Sequence, residues 1–327
     1  ELKHLVDAFG GDYELPNLTA YSETCAAIAS VYWNHRLFLM TGDAKYIDIL
    51  ERTLYNGLIS GLSLDGTRFF YPNPLESDGT YAFNQGARTR KPWFDCSCCP
   101  TNLIRFIPSI PGLIYAVQED TVIVNLFVSS TATFSVQNHD LTITQKTNYP
   151  WNGHISLSVD IETERALSLK LRIPGWARHD AVPGDLYRYT DESGQKPGLR
   201  INGEPVETTA TNGYVVINRD WKTGDKIELN LPMPVRRVAA HDSVRADRGK
   251  VAFERGPLVY CAEEMENSHI DQIVIPESLL FDTQKKSIQA HTITALHSKS
   301  PNLTLIPYYI WSNRGPGVMR VWFPYTR

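Results

Sequence analysis

The stretch Lys91-Pro92-Trp93-Phe94-Asp95-Cys96-Ser97-Cys98-Cys99-Pro100-Thr101-Asn102 holds three of the five cysteines of the chain. It reads as a loop running into a helix, because Pro100 is a residue favoured in a first helical turn, where its missing N–H goes unmissed. The apolar residues Leu103, Ile104, Ile107 and Ile110 then recur at helical spacing. Cys98 and Cys99 therefore fall at the positive end of a helix dipole, where a thiolate is favoured over a thiol. That makes them candidates for reactive or metal-binding thiols. The alternative is that they are small buried hydrophobes, as most free cysteines are. Vicinal cysteines alone do not decide between the two, so partners must be sought elsewhere in the chain.

Size and composition narrow the class. A chain of 327 residues exceeds one ordinary core and implies two or three domains. Its 42% hydrophobic and 21% charged residues describe a globular protein. The net charge of −4, with no basic stripe carrying interleaved aromatics, argues against a nucleic-acid partner. No apolar run is long enough to span a bilayer, so the expectation is a soluble protein without a membrane partner. Five cysteines, odd in number and clustered, do not form a disulfide framework and fit metal binding or thiol chemistry better.

Upstream of the cysteine run the chain is helical. Gly10-Gly11 and Leu15-Pro16-Asn17 interrupt regular structure, and Thr19 or Ser22 can cap the first helix. Ile28, Val31, Tyr32, His35 and Leu39 follow helical spacing from about 26 to 39, with Gly42 as a stop. His35 on that apolar face reads as a core residue. Asp43 caps a second helix over 44–59, closed by Gly61, and the pair forms an αα-hairpin. Phe69-Phe70-Tyr71-Pro72-Asn73-Pro74 is extended, since each proline biases its predecessor away from helix. A charged loop over 76–90 leads to the cysteine run.

After about residue 117 the period becomes alternating. Strand-length runs over 121–128, 131–136, 141–147, 154–161 and 167–173 are rich in Val, Ile, Leu and Thr. Asn202-Gly203 carries the signature of a type I′ hairpin. Further strands are expected at 214–218, 226–231, 251–254, 258–262, 303–310 and 318–323. The Pro/Gly-rich stretch 174–198 reads as a surface excursion, and the pattern weakens over 267–300. The expected fold is mixed α and β: a helical domain over 1–117, then all-β sandwich domains over 118–235 and 236–327. Cys261, inside the strand at 258–262, reads as a buried hydrophobe.

Tyr21-Ser22-Glu23-Thr24-Cys25 is the second cluster of metal-capable residues. Residues two apart face different sides of a helix, so Glu23 and Cys25 can share an ion only at a helix entry. With Cys98 and Cys99 they would make a tetrahedral set of one oxygen and three sulfurs suited to zinc. Spacing alone favours a simpler role for Glu23, an acid in a helix first turn satisfying the dipole.

The phrases Asp12-Tyr13-Glu14-Leu15-Pro16-Asn17, Tyr21-Ser22-Glu23-Thr24-Cys25-Ala26-Ala27, Leu50-Glu51-Arg52-Thr53-Leu54-Tyr55-Asn56, Phe70-Tyr71-Pro72-Asn73-Pro74-Leu75-Glu76 and Cys98-Cys99-Pro100 resemble, in order and spacing, glycoside hydrolase family 127. This family contains β-L-arabinofuranosidases, and the related family 146 shares much of the pattern. The likeness continues through Ile173-Pro174-Gly175-Trp176, Glu254-Arg255-Gly256-Pro257 and Pro307-Tyr308-Tyr309 to Trp322. It implies a carbohydrate substrate and zinc held by Glu23, Cys25, Cys98 and Cys99. It further implies that Cys98 is the nucleophile of a retaining mechanism, with Tyr71 and Glu51 near the sugar. Cys96 has no counterpart in that metal set. The resemblance implies that the helices of 1–117 are the C-terminal part of an (α/α)6 barrel, with the β domains packing on it and offering homodimer contacts.

Two departures accompany the likeness. The family's acid/base glutamate corresponds here to Asp7, one methylene shorter, and family members are much longer than this chain. Two alternatives stay open. In one, Glu23 and Asp7 form a conventional carboxylate pair beside a structural zinc. In the other, the protein binds sugar without turning it over. The compartment is left between bacterial cytoplasm and periplasm, because thiolate ligands favour a reducing milieu while bound zinc protects them.

Overall fold

The computed structural model describes residues 10–136 and 138–326. Helix α1 (Thr24–Thr41) and helix α2 (Ala44–Arg52) form the expected hairpin. Gly42 ends α1 with a left-handed φ of 69°, its N–H donating to the Phe38 carbonyl, and the Asp43 side chain accepts from the Lys45 amide at 2.9 Å. The second helix does not stay regular to residue 59. It widens into a π-helical turn (Thr53–Leu58) and tightens into a short 3₁₀ turn (Ile59–Gly61). Helix α3 (Cys98–Phe106) starts two residues before the proline that signals it.

The buried stripe of α1 is Thr24, Ile28, Val31, Asn34 and Phe38. Tyr32 and Leu39, expected inside, are exposed, His35 is half-buried, and Trp33 and Met40 are 66% and 81% exposed. Apolar residues surround this helix, so its period alone does not say which side faces the core. The buried stripe packs with Ile47 and Leu50 of α2 and Leu103 and Phe106 of α3 in one cluster.

The middle of the chain forms two sheets stacked face to face. A six-stranded sheet runs in the order Glu204–Val206, Gly198–Ile201, Lys226–Asn230, His154–Ile161, His139–Thr147, Ser130–Val136. A four-stranded sheet runs Tyr214–Trp221, Arg165–Arg172, Thr121–Val124, Tyr115–Gln118. Their inward residues, among them Leu141, Ile155, Leu157, Leu169 and Trp221, share one core. Asn202 and Gly203 have φ of 52° and 86°, as a type I′ turn requires.

The last part is an 11-stranded branched sheet that also draws in two strands from earlier in the chain. Glu76–Asp78 pairs with Val318–Arg320, and Tyr187–Tyr189 pairs with Val235–Ala240. The stretch over 174–198 is thus partly built into a sheet. Where the alternation fades, a long hairpin forms from Asp282–Ile288 and His291–Lys299. Its first strand is exposed and polar, so it carries no inward apolar row. Among the described residues, no helix is long and apolar enough to cross a membrane.

Buried ion networks hold the helices to the sheets. Arg172, fully buried, donates to Asp48 at 2.6 Å, to Glu51 at 2.5 Å and to the Asn125 carbonyl at 2.5 Å. Tyr149 donates to the same Glu51 oxygen at 2.8 Å, and Arg178 reaches Asp48 at 2.9 Å. On the other flank Arg52 pairs with Glu254, and Asn56 bonds the Pro257 carbonyl and Val259 amide. Removing one partner of such a buried group leaves a charge uncompensated. Arg172→Ala is expected to lower the unfolding free energy by about 3–5 kcal/mol, read from urea denaturation. A loss below about 1 kcal/mol, the level of a surface pair, would remove Arg172 from this role.

Candidate active site

The strap formed by residues 69–75 crosses the start of α1. Its prolines, Pro72 and Pro74, have no N–H, so the strap cannot pair as an ordinary strand. Only Phe69 pairs both ways, with Lys91 at 2.8 and 3.0 Å; the rest is tied by single bonds: Phe70 N–H to the Gly61 carbonyl at 2.9 Å, Asn73 N–H to the Tyr21 carbonyl at 3.2 Å and Leu75 N–H to the Asn17 carbonyl at 3.1 Å. In return, the Tyr71 carbonyl accepts the Thr24 amide at 2.9 Å. Thr24 Oγ1 donates to the Phe70 carbonyl, and Asn73 Nδ2 donates to Thr24 Oγ1 and to the Ser22 carbonyl. A side chain at Gly61 would collide with Thr24, since its Cβ would lie 2.5 Å from Thr24 Cγ2.

This arrangement turns Glu23 away from capping. It occupies the N-cap of α1 with extended backbone, yet its side chain makes no capping bond, while the strap satisfies the Thr24 amide. Spacing favours a first-turn role for this acid, and the structure turns its carboxylate toward the sulfurs of α3. Glu23 Oε1 lies 3.6 Å from Cys98 Sγ and 3.4 Å from Cys99 Sγ, and the two sulfurs are 3.9 Å apart. Cys25, on the first turn of α1, completes the group. One ligand atom from each of Glu23, Cys25, Cys98 and Cys99 lies within 4.8 Å of every other, and among the described residues no other group of three or more His, Cys, Asp or Glu does so. The four residues can hold a metal ion.

The electrostatics of the protein alone oppose ionisation here. Burial pushes the Cys98 thiol up to about 11; the Tyr71 hydrogen bond pulls against this and Cys25 adds to it. Burial, then Cys25, raises Cys99 further. Desolvation thus outweighs the helix-dipole effect expected from the sequence. A divalent cation is the local charge that inverts this balance.

Tyr71 reaches the same sulfur. Its Oη lies 2.7 Å from Cys98 Sγ and 3.6 Å from Cys96 Sγ, and its ring packs edge-on to Phe94 at 5.3 Å. Cys96 is exposed at the rim, and Cys261 is buried in its strand as expected. Glu51 stands apart from this cluster. It is 1% exposed, and Arg172 and Tyr149 take up its carboxylate at the junction with the middle sheets. Asp7 lies outside the described residues. Sequence reasoning misses Arg90, which falls in a charged loop but is 2% exposed and donates to the Ser60, Tyr309 and Trp311 carbonyls. It also misses Asn84, an unmarked polar residue of the same loop whose buried hydrogen bonds have no signature in spacing.

Known proteins match this chain throughout. Residues 3–112 match the family model "Beta-L-arabinofuranosidase, GH127 catalytic domain", residues 121–233 the GH127 middle domain and residues 235–324 the glycoside hydrolase family 127 C-terminal domain. A curated non-reducing end β-L-arabinofuranosidase of Bifidobacterium longum subsp. longum is 34% identical over an alignment of 361 residues, covering 97% of this chain and 51% of that protein. A solved GH127 β-arabinofuranosidase superposes with a TM-score of 0.91 at 48% identity, over 99% of this chain and 52% of the other. The structure of a GH127 β-L-arabinofuranosidase from Geobacillus stearothermophilus T6 gives 0.87 at 37% identity, over 97% and 52%. The chain therefore spans about half the length of these relatives. With three consecutive matches of the same family and this structural likeness, the chain belongs to glycoside hydrolase family 127.

Proposed function

We propose that this chain is part of a retaining glycoside hydrolase that releases β-L-arabinofuranose, with Cys98 as nucleophile in a zinc site. The observation that carries the reading is the meeting of Glu23, Cys25, Cys98 and Cys99 in one cluster with Tyr71 Oη against the Cys98 sulfur. The substrate class rests on the names of the relatives. The distances fit zinc: bond lengths of about 2.3 Å to sulfur and about 2.1 Å to oxygen in a tetrahedron set edges of roughly 3.8 Å between sulfurs and roughly 3.6 Å from sulfur to oxygen. The three edges available here are 3.9, 3.6 and 3.4 Å. Soft thiolates with one oxygen are also a donor set that selects zinc. When bound, zinc supplies the positive charge that keeps these buried thiols ionised near neutral pH.

In this mechanism Cys98 Sγ attacks the anomeric carbon while the bond to the leaving oxygen breaks, and that oxygen takes its proton from Asp7. The sugar is then held through a carbon–sulfur bond. Asp7, now a carboxylate, takes a proton from water, whose oxygen attacks the same carbon and releases the Cys98 thiolate. Two inversions retain the β configuration. Tyr71 orients the sulfur through its hydroxyl. Cys99 and Cys25 act as ligands, and Glu23 is engaged with both sulfurs of α3 rather than serving as a carboxylate catalyst.

We further propose that α1, α2 and α3 belong to an (α/α)6 barrel. Its other helices would cover the exposed apolar residues Trp33, Leu39 and Met40 of α1 and Ile104 of α3. The half-length coverage of the relatives supports this.

Cys98→Ser is expected to abolish hydrolysis of nitrophenyl β-L-arabinofuranoside, and mass spectrometry of the quenched native protein should find a pentosyl adduct on the peptide carrying Cys98. Hydrolysis surviving in Cys98→Ser would reject the nucleophile. Asp7→Ala should lower kcat by about 10²–10⁴-fold, with far less loss for substrates bearing a nitrophenolate leaving group, which need no protonation to depart. Equal loss on good and poor leaving groups would reject Asp7 as the acid.

A further inference from the structure

We propose that Asn84 is a positioning residue for Cys98 and acts through Tyr71. This rests on Cys98 being the nucleophile and adds a residue that touches neither substrate nor sulfur. Asn84 is fully buried, and its side chain makes three hydrogen bonds, all to backbone. Its Oδ1 accepts the Tyr71 N–H at 2.8 Å, and its Nδ2 donates to the Phe69 carbonyl at 3.1 Å and the Thr89 carbonyl at 2.9 Å. The Asn84 backbone is itself fixed by a two-way pairing with Ala87, at 2.9 Å and 3.1 Å.

The strap pairs like a strand only at Phe69, which exchanges two backbone bonds with Lys91. Past that bridge, with Pro72 and Pro74 donating nothing, no backbone carbonyl receives the Tyr71 amide. A buried amide left without a partner is costly, so some group must take it. Asn84 does this while holding Phe69 two residues away. One amide side chain thus extends the Phe69–Lys91 pairing by a step and, together with it, fixes the height of Tyr71 along the strap. Both outputs of Tyr71 depend on that height. Its Oη lies 2.7 Å from Cys98 Sγ, and its carbonyl holds the Thr24 amide, the first of the helix that presents Glu23 and Cys25. Moving Tyr71 therefore shifts the hydroxyl relative to sulfur, and a misplacement of about 1 Å near a reacting atom can cost about 10²-fold in rate.

The test is a double-mutant cycle over the native chain, Asn84→Ala, Tyr71→Phe and the double variant. Each is read in three ways: kcat and KM on the nitrophenyl arabinofuranoside, the rate of Cys98 alkylation by iodoacetamide mapped by peptide mass, and the thermal midpoint. Asn84→Ala is expected to lower kcat by about 10–100-fold with KM changed less than about threefold, and to change the alkylation rate. In the Tyr71→Phe background the same substitution should cost at least about threefold less in both rates, because the hydroxyl it positions is already gone and only the backbone contact with Thr24 is left to disturb. The same factor in both backgrounds, or a loss that only tracks the folded fraction, would overturn the proposal. Asn84→Asp keeps an acceptor for the Tyr71 amide and should retain more of both rates than Asn84→Ala; equal losses would count against it. If Asn84→Ala does not fold, the cycle is run with Asn84→Asp. Alkylation reports on Cys98 without turnover, so the Asn84–Tyr71 coupling is decided even where Cys98→Ser shows that the nucleophile assignment fails.

Discussion

Three thiols and a carboxylate crowded within 4.8 Å, with Cys99 wholly buried, form an arrangement that the protein alone does not favour electrostatically. Burial drives the thiols toward their neutral forms, and mutual repulsion of the ionised groups does the same. The rest of the helical part is arranged around holding that cluster together. α1 and α3 meet at their first turns, the strap of residues 69–75 holds the start of α1 from outside, and Glu23, whose side chain makes no capping bond, faces the sulfurs. A bound divalent cation would reverse this balance and give these features one common purpose.

The sheets serve this site at a distance. Arg172 and Tyr149 from the middle sheets grip Asp48 and Glu51 of α2, while Glu254 and the turn near Pro257 grip Arg52 and Asn56. Arg90 ties the carbonyl of Ser60 to those of Tyr309 and Trp311, with its guanidinium 4.0 Å from the Phe70 ring centre. Phe70 precedes Tyr71 in the strap, so the C-terminal sheet and the thiol site share a mechanical support. Replacing Arg172 tests that frame, whereas replacing Asn84 tests the local tuning of the sulfur.

Much of the site is legible from residues alone, because its parts are local signals: cysteines beside a proline, an acid and a cysteine at a helix entry, and ordered phrases shared with a family. The β architecture is equally open where strands alternate inward and outward, as in His154–Ile161, and where Asn202-Gly203 sets a turn. The face of α1 is not legible, because Trp33, Leu39 and Met40 dilute its period with exposed apolar residues. The hairpin of Asp282–Ile288 leaves no signal, because an exposed strand needs no apolar row. Likeness puts Glu51 near the sugar, and only the structure brings Arg172, 121 positions away, onto its carboxylate. Asn84 is invisible for the same reason: its value lies in three backbone partners that sequence spacing does not bring together.

Whether these four side chains hold one zinc ion together is measured most directly by X-ray absorption at the zinc edge on the purified protein. One zinc per chain is expected, with three sulfurs at about 2.3 Å and one oxygen at about 2.0–2.2 Å. A shell of oxygen and nitrogen only, or zinc that remains bound with an unchanged sulfur count after Cys25→Ala, would contradict the shared site.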